Sequence, residues 1–161
     1  MRRVVKRYRV TNSEYRLYSV IISSMRKRIL ILCTGNSARS QIAEGLFRSK
    51  AAGSIDVFSA GTKPKGLNPR AVEVMKEIGL DISGHQSKDV SQFSQQQFDV
   101  VITVCDNAKE SCPVFPGAKT IHWSIKDPED LVSFREIRNE LDERIQNYLD
   151  SFKPADKISA K

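Results

Sequence analysis

One stretch of the chain combines a thiol, an arginine and small polar residues in a single short loop. The loop reads Cys33-Thr34-Gly35-Asn36-Ser37-Ala38-Arg39-Ser40. An apolar run at 29–32 predicts a buried strand ending at Cys33, and apolar residues recur at helical spacing after the loop. Free amides at a helix start, together with the helix dipole, bind anions, and Arg39 adds a planar fork of donors. The same field stabilises a thiolate at Cys33, which can attack a phosphate-like oxyanion.

The combination is more specific than its parts. A lone cysteine that ends a buried strand is usually an inert core residue, and a lone arginine near a helix start is usually at the surface. A cysteine followed by five residues and then Arg-Ser, at a strand–helix junction, favours an active site. The loop has no Gly-Lys-Ser/Thr ending, so it is not a nucleotide-binding P-loop. The candidate oxyanion-binding residues are Thr34, Gly35, Asn36, Ser37, Ala38, Arg39 and Ser40.

A second group of reactive residues follows later in the chain. Cys105 and Cys112 lie seven positions apart, and Asp127 precedes a proline. Two incidental cysteines or a zinc site are the alternatives, but the spacing does not fit a short zinc hook, and no metal is expected. If residues 105–112 were helical, the two Cα atoms would lie about 10.5 Å apart, too far for a disulfide. The segment is therefore either a loop or a helix that must unwind for that bond. Asp127-Pro128 is either a simple turn or the site of a general acid.

The order of elements predicts the fold. Four apolar stretches have the length and composition of strands, at residues 29–32, 54–60, 98–104 and 118–123. Helical patterns alternate with them, and a Ser133–Glu136 capping pattern marks the start of the last helix. We therefore expect a three-layer α/β/α fold with a four-stranded parallel sheet. Cys33 and Cys105 both follow strand ends, so they are expected at the same edge of this sheet.

Composition and charge limit the other classes of function. The 161 residues suit one domain, and no apolar run is long enough for a membrane helix. The net charge is +7, but residues 1–24 account for +5 of it, so nucleic-acid binding by the domain is not expected. The odd number of cysteines favours reactive thiols in a reducing cytoplasm. We predict a basic extension over 1–24, disordered or arising from a start codon assigned too early, a catalytic domain over 25–153, and a tail over 154–161.

The loop sequence CTGNSARSQIAEG resembles the active-site loop of the low-molecular-weight protein tyrosine phosphatase superfamily. Within that superfamily it is most similar to the thioredoxin-coupled arsenate reductases. These reductases carry a cysteine pair like that of CDNAKESCP, which ordinary phosphatases lack. The phosphatases usually have proline after the Arg-Ser pair, whereas this chain has Gln41, as the reductases do. The resemblance extends from about residue 29 to about residue 149.

The resemblance implies a reaction and a role for each site residue. Cys33 attacks arsenate held by the loop and Arg39, while Asp127 protonates the departing oxygen. Cys105 then attacks Cys33, and Cys112 attacks Cys105, leaving a Cys105–Cys112 disulfide that thioredoxin reduces. The electrons come from thioredoxin, so no metal cofactor is implied. The expected partners are arsenate, phosphate or sulfate in the loop, and thioredoxin; a monomer without membrane or nucleic-acid partners is expected.

Other functions stay open at this stage. A low-molecular-weight phosphatase would use Cys33, Arg39 and Asp127 and would ignore the cysteine pair. A non-catalytic redox or oxyanion sensor would bind the anion and form the disulfide without turnover. Arsenate-dependent consumption of NADPH with thioredoxin and its reductase, measured beside nitrophenyl phosphate hydrolysis, separates these possibilities.

The resemblance also raises a question about potassium. Some of the reductases bind a potassium ion near the loop, with help from an acidic residue after the second helix. An ungapped alignment puts Lys88 at that position, while Asn36, Glu44 and Ser59 match the other positions. We therefore predict that the Lys88 ammonium supplies the positive charge in place of potassium. The alternatives are an alignment shifted by one, which puts Asp89 at that position, and a lysine that is simply solvated.

Overall fold

The computed structural model describes residues 11–152. The predicted tail at 154–161 and the first ten residues of the predicted extension lie outside the described residues. The elements in chain order are α1 (Asn12–Met25), β1 (Lys27–Cys33), α2 (Arg39–Ala51), β2 (Ile55–Gly61), α3 (Pro69–Lys76), a 3₁₀ helix (Val90–Phe93), β3 (Val100–Thr103), α4 (Asp106–Ser111), β4 (Lys119–His122) and α5 (Leu131–Asp150).

The four strands form one parallel sheet in the order β2-β1-β3-β4. β1 lies inside the sheet and pairs with β2 along its whole length and with β3 over residues 29–32. All four strands point the same way, so their carboxyl ends meet at one edge, beyond which ligands bind in such sheets. This arrangement confirms the predicted α/β fold with a four-stranded parallel sheet.

The two faces of the sheet carry different layers. Side chains alternate along a strand, so Ile29 and Ile31 face one way and Leu30 and Leu32 face the other. The first pair packs in a core built from α2, α3 and α5. The second pair packs against an aromatic group from the 3₁₀ helix and the loops, made up of Phe93, Phe98 and Phe115. The sheet is therefore buried on both faces, with long helices on one and a thinner layer on the other.

A helix occupies residues 12–25, where the sequence analysis predicted an extension that is disordered or that arises from a start codon assigned too early. Its start is ordered by Glu14, whose carboxylate accepts hydrogen bonds from the Thr11 backbone amide at 2.7 Å and from the Thr11 hydroxyl at 2.8 Å. Residues 12–25 contain neither glycine nor proline, so no residue type breaks the helix. The segment that the structure describes is thus helical, and the predicted domain boundary stays a prediction.

Two local features also differ from the sequence patterns. α5 is capped by Asp130, whose carboxylate accepts from the Ser133 amide at 2.8 Å, so the predicted cap at Ser133 was wrong. The better acceptor lies three residues earlier, and the helix begins at Leu131. The segment between Cys105 and Cys112 forms the short helix α4, the alternative that requires unwinding before a disulfide can form. No helix within residues 11–152 is long and apolar enough to cross a membrane.

Candidate active site

The loop between β1 and α2 lines a cavity of about 290 Å³ at the carboxyl edge of the sheet. Cys33 is the last residue of β1, and Arg39 is the first residue of α2. Of the candidate loop residues, Asn36 and Ser40 are fully buried, and the other five line the cavity together with Cys33. Those five are Thr34, Gly35, Ser37, Ala38 and Arg39. The structure therefore brings the thiol, the loop and the arginine together around one small space.

Three carbonyls of the loop bond to a neighbouring segment of the chain. The Thr34, Gly35 and Ser37 carbonyls accept backbone hydrogen bonds from the segment after β2, at 2.8, 2.9 and 3.0 Å. The carbonyl of one residue and the amide of the next point in opposite directions in a trans peptide. The amides that follow these carbonyls consequently point to the opposite side of the loop, where the Asn36 amide reaches Cys33 Sγ. Successive amides on one side of a loop at a helix start form an anion-binding nest.

Gly61 makes this close approach of the two segments possible. A Cβ atom at Gly61 would lie 2.6 Å from the Thr34 carbonyl oxygen and 2.8 Å from the Asn36 amide nitrogen. Both neighbours are backbone atoms of the anion loop, so they cannot move aside without reshaping it. A residue without a side chain is therefore required at this position.

We expect Gly61→Ala to lower the free energy of unfolding by about 2–3 kcal/mol, because the added methyl overpacks the loop backbone. Denaturant unfolding of the variant and of the wild-type protein measures the change. Gly84→Ala is the matched control, since nothing lies within 4 Å of the added Cβ there. Equal stabilities of the two variants would contradict the account of Gly61.

Asn36 connects the loop to its surroundings. Its backbone has a φ of 42°, in the left-handed region that asparagine tolerates better than most residues. Its amide group donates to Ser40 Oγ at 2.9 Å and to Ser59 Oγ at 2.8 Å. Its side-chain oxygen accepts from the Lys88 backbone amide at 2.8 Å. The fully buried Asn36 thus fixes the loop to α2, to β2 and to the segment before the 3₁₀ helix.

The Cys33 sulfur receives two polar contacts in this arrangement. The backbone amide of Asn36 donates to Cys33 Sγ at 3.1 Å, and Ser40 Oγ lies 2.9 Å from the same sulfur. Because the Ser40 oxygen already accepts from Asn36, its own proton is available for the sulfur. These two contacts hold the Cys33 sulfur in a fixed position beside the loop.

Gln41 is a site residue that the sequence analysis named only as a family marker. It is fully buried, and its amide group donates to the Asn36 carbonyl at 3.0 Å and to the Gln86 carbonyl at 3.0 Å. Its oxygen lies 3.1 Å from His85 Nδ1. Burial lowers the pKa of His85, which favours the neutral ring, with Nδ1–H donating to that oxygen. Glutamine in place of proline thus adds a clamp on the loop.

Arg39 and Asp127 face each other across the cavity mouth. Arg39 Nη1 donates to the Ile125 carbonyl at 2.9 Å, and Nη2 lies 3.0 Å from Asp127 Oδ1. The Asp127 side chain is 81% exposed, whereas that of Arg39 is 15% exposed. The carboxylate thus lies at the solvent-exposed side of the cavity. The structure brings both predicted residues to the cavity of Cys33.

Anion binding is expected to stabilise the fold. A ligand at 100 times its Kd adds about 2.7 kcal/mol to the free energy of unfolding. We therefore expect saturating sulfate to raise Tm, with sodium chloride of equal ionic strength as the control. Arg39→Lys should reduce the rise, because an ammonium cannot bind two oxygens in a planar fork. A Tm that sulfate leaves unchanged would contradict the oxyanion site.

A buried carboxylate lies behind the loop. Glu44 is 2% exposed, and its oxygens lie 2.6 Å from Arg48 Nη2 and 3.6 Å from Lys88 Nζ. The Ser59 hydroxyl donates to the same carboxylate and accepts from Asn36. The four residues aligned with the potassium site therefore do lie together. The Lys88 ammonium occupies the position beside Glu44.

Cys105 lies next to the loop. Its sulfur is buried and lies 3.4 Å from Thr34 Oγ1. The register pairs Leu32 with Thr103 on the neighbouring strand. Cys105 therefore lies one residue beyond the position that faces Cys33. Ideal strands about 4.8 Å apart, with about 3.3 Å per residue, would put these two Cα atoms about 6 Å apart. That separation falls within the roughly 4.4–6.8 Å that a disulfide requires.

Cys112 lies at the far end of α4 and on the other side of the sheet. Cys105 and Cys112 flank the helix as its N-cap and C-cap residues. Cys112 packs against the aromatic group on the thinner face, whereas Cys33 and Cys105 belong to the core on the face of the long helices. Burial raises the pKa of the Cys112 thiol, so the packed thiol is a weak nucleophile. Cys33 and Cys105 thus share one core, whereas Cys112 lies on the other face of the sheet.

The fold and this loop define a known class of protein. The family model described as low molecular weight phosphotyrosine protein phosphatase matches residues 28–157. The chain belongs to this family. The family inferred from the loop sequence is thereby confirmed, and the match begins after α1.

Within this family, the chain is similar to several proteins named as arsenate reductases. Arsenate reductase 2 of Staphylococcus saprophyticus is 40% identical over 129 residues, which cover 78% of this chain and 98% of that protein. A solved arsenate reductase in a phosphate-binding state has a TM-score of 0.68 and 33% identity, and the match covers 79% of this chain and 99% of the other. The structure of a thioredoxin-dependent arsenate reductase of Corynebacterium glutamicum has a TM-score of 0.67 and 29% identity. The match covers 86% of this chain and 70% of the other.

Proposed function

We propose that this protein is a thioredoxin-coupled arsenate reductase. The observation that carries the proposal is the arrangement of three thiols. Cys33 lies in the anion loop, Cys105 contacts the loop through Thr34, and Cys112 lies one short helix away. A phosphatase needs the first of these thiols but neither of the others. The curated relatives named as arsenate reductases support the same assignment.

The first step forms a bond between sulfur and arsenic. Backbone amides of the loop and the Arg39 guanidinium hold the arsenate oxygens and spread their charge. The Cys33 thiolate attacks arsenic, and one oxygen leaves as it accepts a proton. We assign this proton to Asp127, because its carboxylate lies 3.0 Å from Arg39 and lines the same cavity.

The second step transfers the electrons. The Cys105 thiolate attacks the Cys33 sulfur, so that the sulfur–arsenic bond breaks and its electron pair stays on arsenic. Arsenic(V) becomes arsenic(III), and the two sulfurs form a disulfide. Both residues follow the ends of neighbouring strands and share one core, and ideal strand spacing of about 6 Å between their Cα atoms is compatible with this bond.

The third step transfers the disulfide from Cys33–Cys105 to Cys105–Cys112, away from the oxyanion cavity. Cys112 attacks Cys105, Cys33 departs as a thiolate, and a Cys105–Cys112 disulfide remains. Because α4 separates the two residues, it must unwind for this step. Thioredoxin then reduces the new disulfide, so the electrons come from a partner protein and the proposal requires no metal.

The proposal is tested by NADPH oxidation in the presence of thioredoxin and thioredoxin reductase. We expect the protein to consume one NADPH per arsenate, and no NADPH when arsenate is left out. Nitrophenyl phosphate hydrolysis is measured in parallel. Hydrolysis of that ester without arsenate-dependent NADPH oxidation would overturn the reductase and favour the second candidate.

The second candidate is a low-molecular-weight phosphatase, which the family match and the Arg39–Asp127 pair support. The same loop would hold a phosphate ester, and Asp127 would protonate the leaving alcohol. Glu129 and Asp130 follow Pro128, where phosphotyrosine-specific relatives carry aromatic residues. Their carboxylates repel an acidic phosphopeptide and suit a small inorganic anion, so we place the phosphatase second.

The contact between Lys88 and Glu44 leads to a prediction about potassium. An ammonium 3.6 Å from the buried carboxylate leaves little need for a further cation and repels one. We expect arsenate reduction to be unchanged when sodium replaces potassium at constant ionic strength. Tetramethylammonium chloride serves as the control for an effect of cations in general. A rise specific to potassium would contradict the role given to Lys88.

A further inference from the structure

The first residue of α4 is tied to the neighbouring strand. Asp106 directly follows Cys105, and its Oδ1 accepts from His122 Nε2 at 2.9 Å and from Ser124 Oγ at 3.2 Å. His122 is the last residue of β4, and Ser124 follows two residues later. These bonds join the start of a helix that must unwind to a strand end that belongs to the sheet.

His122 is itself held in place on its other side. Its Nδ1 lies 2.7 Å from Thr103 Oγ1, and Thr103 is a buried residue of β3. A carboxylate only accepts hydrogen bonds, so Nε2 carries the proton that faces Asp106. Two hydrogen bonds lower the pKa of Asp106: the one from His122 has the larger effect, and the one from Ser124 has the smaller effect. The imidazole therefore bridges the rigid sheet and the ionised side chain at the start of α4.

We propose that the His122–Asp106 bond is a latch that keeps α4 helical and holds Cys105 apart from Cys112 until the relay requires their disulfide. The proposal rests on the function proposed above, for which it names a positioning residue. The latch would keep Cys105 beside Thr34 for its attack on Cys33. Its release would let the backbone of residues 105–112 change shape.

Three features of α4 favour such a device. The helix has six residues, too few to be stable without outside contacts. Its Cys105 N-cap makes no side-chain capping bond, so Asp106 provides the polar anchor at this end. Asn107, the next residue, lines the oxyanion cavity. The start of the helix thus contacts both the sheet and the site where the first chemical step occurs.

The test measures the thiol–disulfide equilibrium of Cys105 and Cys112 without arsenate. The full-length protein carries Cys33→Ser, so that one pair of thiols remains, and it is equilibrated in mixtures of reduced and oxidised glutathione. Oxidised glutathione accepts the two electrons and becomes two thiols. Alkylation followed by mass spectrometry gives the fraction of disulfide. We expect His122→Ala to raise the equilibrium constant for disulfide formation about three- to fivefold, as for an exposed charged hydrogen bond.

Further variants separate a latch from a general loss of structure. Asp106→Ala should give the same rise, and the double variant should give no more than either single change. His122→Gln can keep a donor towards Asp106 and should restore part of the wild-type value. Glu110→Ala is the matched control, because it removes a carboxylate from the exposed side of the same helix.

Two results would overturn the latch. One is an equilibrium constant for His122→Ala equal to that of Glu110→Ala. The other is a double variant in which the two single effects simply multiply, because independent effects mean that the bond itself contributes nothing. The measurement needs no arsenate, so it can succeed even if the NADPH experiment shows that the protein does not reduce arsenate. The two proposals therefore fail separately.

Discussion

Cys33→Ser is expected to abolish arsenate reduction and phosphate ester hydrolysis together, each by at least about a thousandfold. Cys33 is the cysteine that lines the cavity with Arg39, and its sulfur receives the Asn36 and Ser40 contacts. A serine hydroxyl in the same place is far less ionised than a thiol and is a poor nucleophile. NADPH oxidation and nitrophenyl phosphate hydrolysis measure the two losses on one preparation.

Cys105→Ser is the matched control for this prediction. It should abolish reduction but leave ester hydrolysis within about threefold, since Cys105 contacts the loop through Thr34 and does not line the cavity. A retained sulfate effect on Tm shows that the anion site of either variant is intact. Substantial ester hydrolysis by Cys33→Ser, or its loss in Cys105→Ser, would contradict the roles assigned to the two thiols.

Cys112→Ser is expected to convert about one arsenate per enzyme molecule and then stop, on the stoichiometry of two thiols per arsenate. Cys33 and Cys105 remain in the same core and can form their disulfide, whereas the third thiol that resolves it is missing. The variant should accumulate as Cys33–Cys105. Quantifying arsenite after a single addition of arsenate, with thioredoxin and its reductase present, gives the stoichiometry.

Ser111→Ala serves as a control at the neighbouring position, because it removes a hydroxyl from the same end of α4 and keeps all three thiols. It should turn over repeatedly. Many turnovers by Cys112→Ser with thioredoxin alone would mean that thioredoxin reaches Cys33–Cys105 directly. The outward movement of the disulfide would then be unnecessary.

The fold could be predicted because its signals are local. The apolar run at 29–32 is buried on both faces, as a central parallel strand must be, and it ends where the polar loop begins. Helix α3 begins at Pro69, a residue type favoured in the first turn, and Asn68 caps it by accepting a hydrogen bond from the Arg70 amide. Such patterns depend on residues within a few positions of one another.

The support of the site could not be predicted in the same way. The contacts of Gln41 with Gln86 and of Asp106 with His122 join residues that are distant in sequence but adjacent in the fold. Their residue types indicate that a polar contact is needed, but not with which partner. Helix α4 was ambiguous because six residues carry too little periodicity to separate a helix from a loop. The sequence did contain one signal that the loop is supported from behind: the polar residues Gln41 and Glu44 stand at positions that face the core.

The order of the three thiols is tested most directly by mapping the disulfide of the wild-type protein after arsenate is added without thioredoxin. The protein is alkylated, digested without reduction and analysed by mass spectrometry. The relay predicts a Cys105–Cys112 disulfide, with Cys33 free and alkylated. A disulfide that joins Cys33 directly to Cys112, or three free thiols after arsenite has formed, would contradict it.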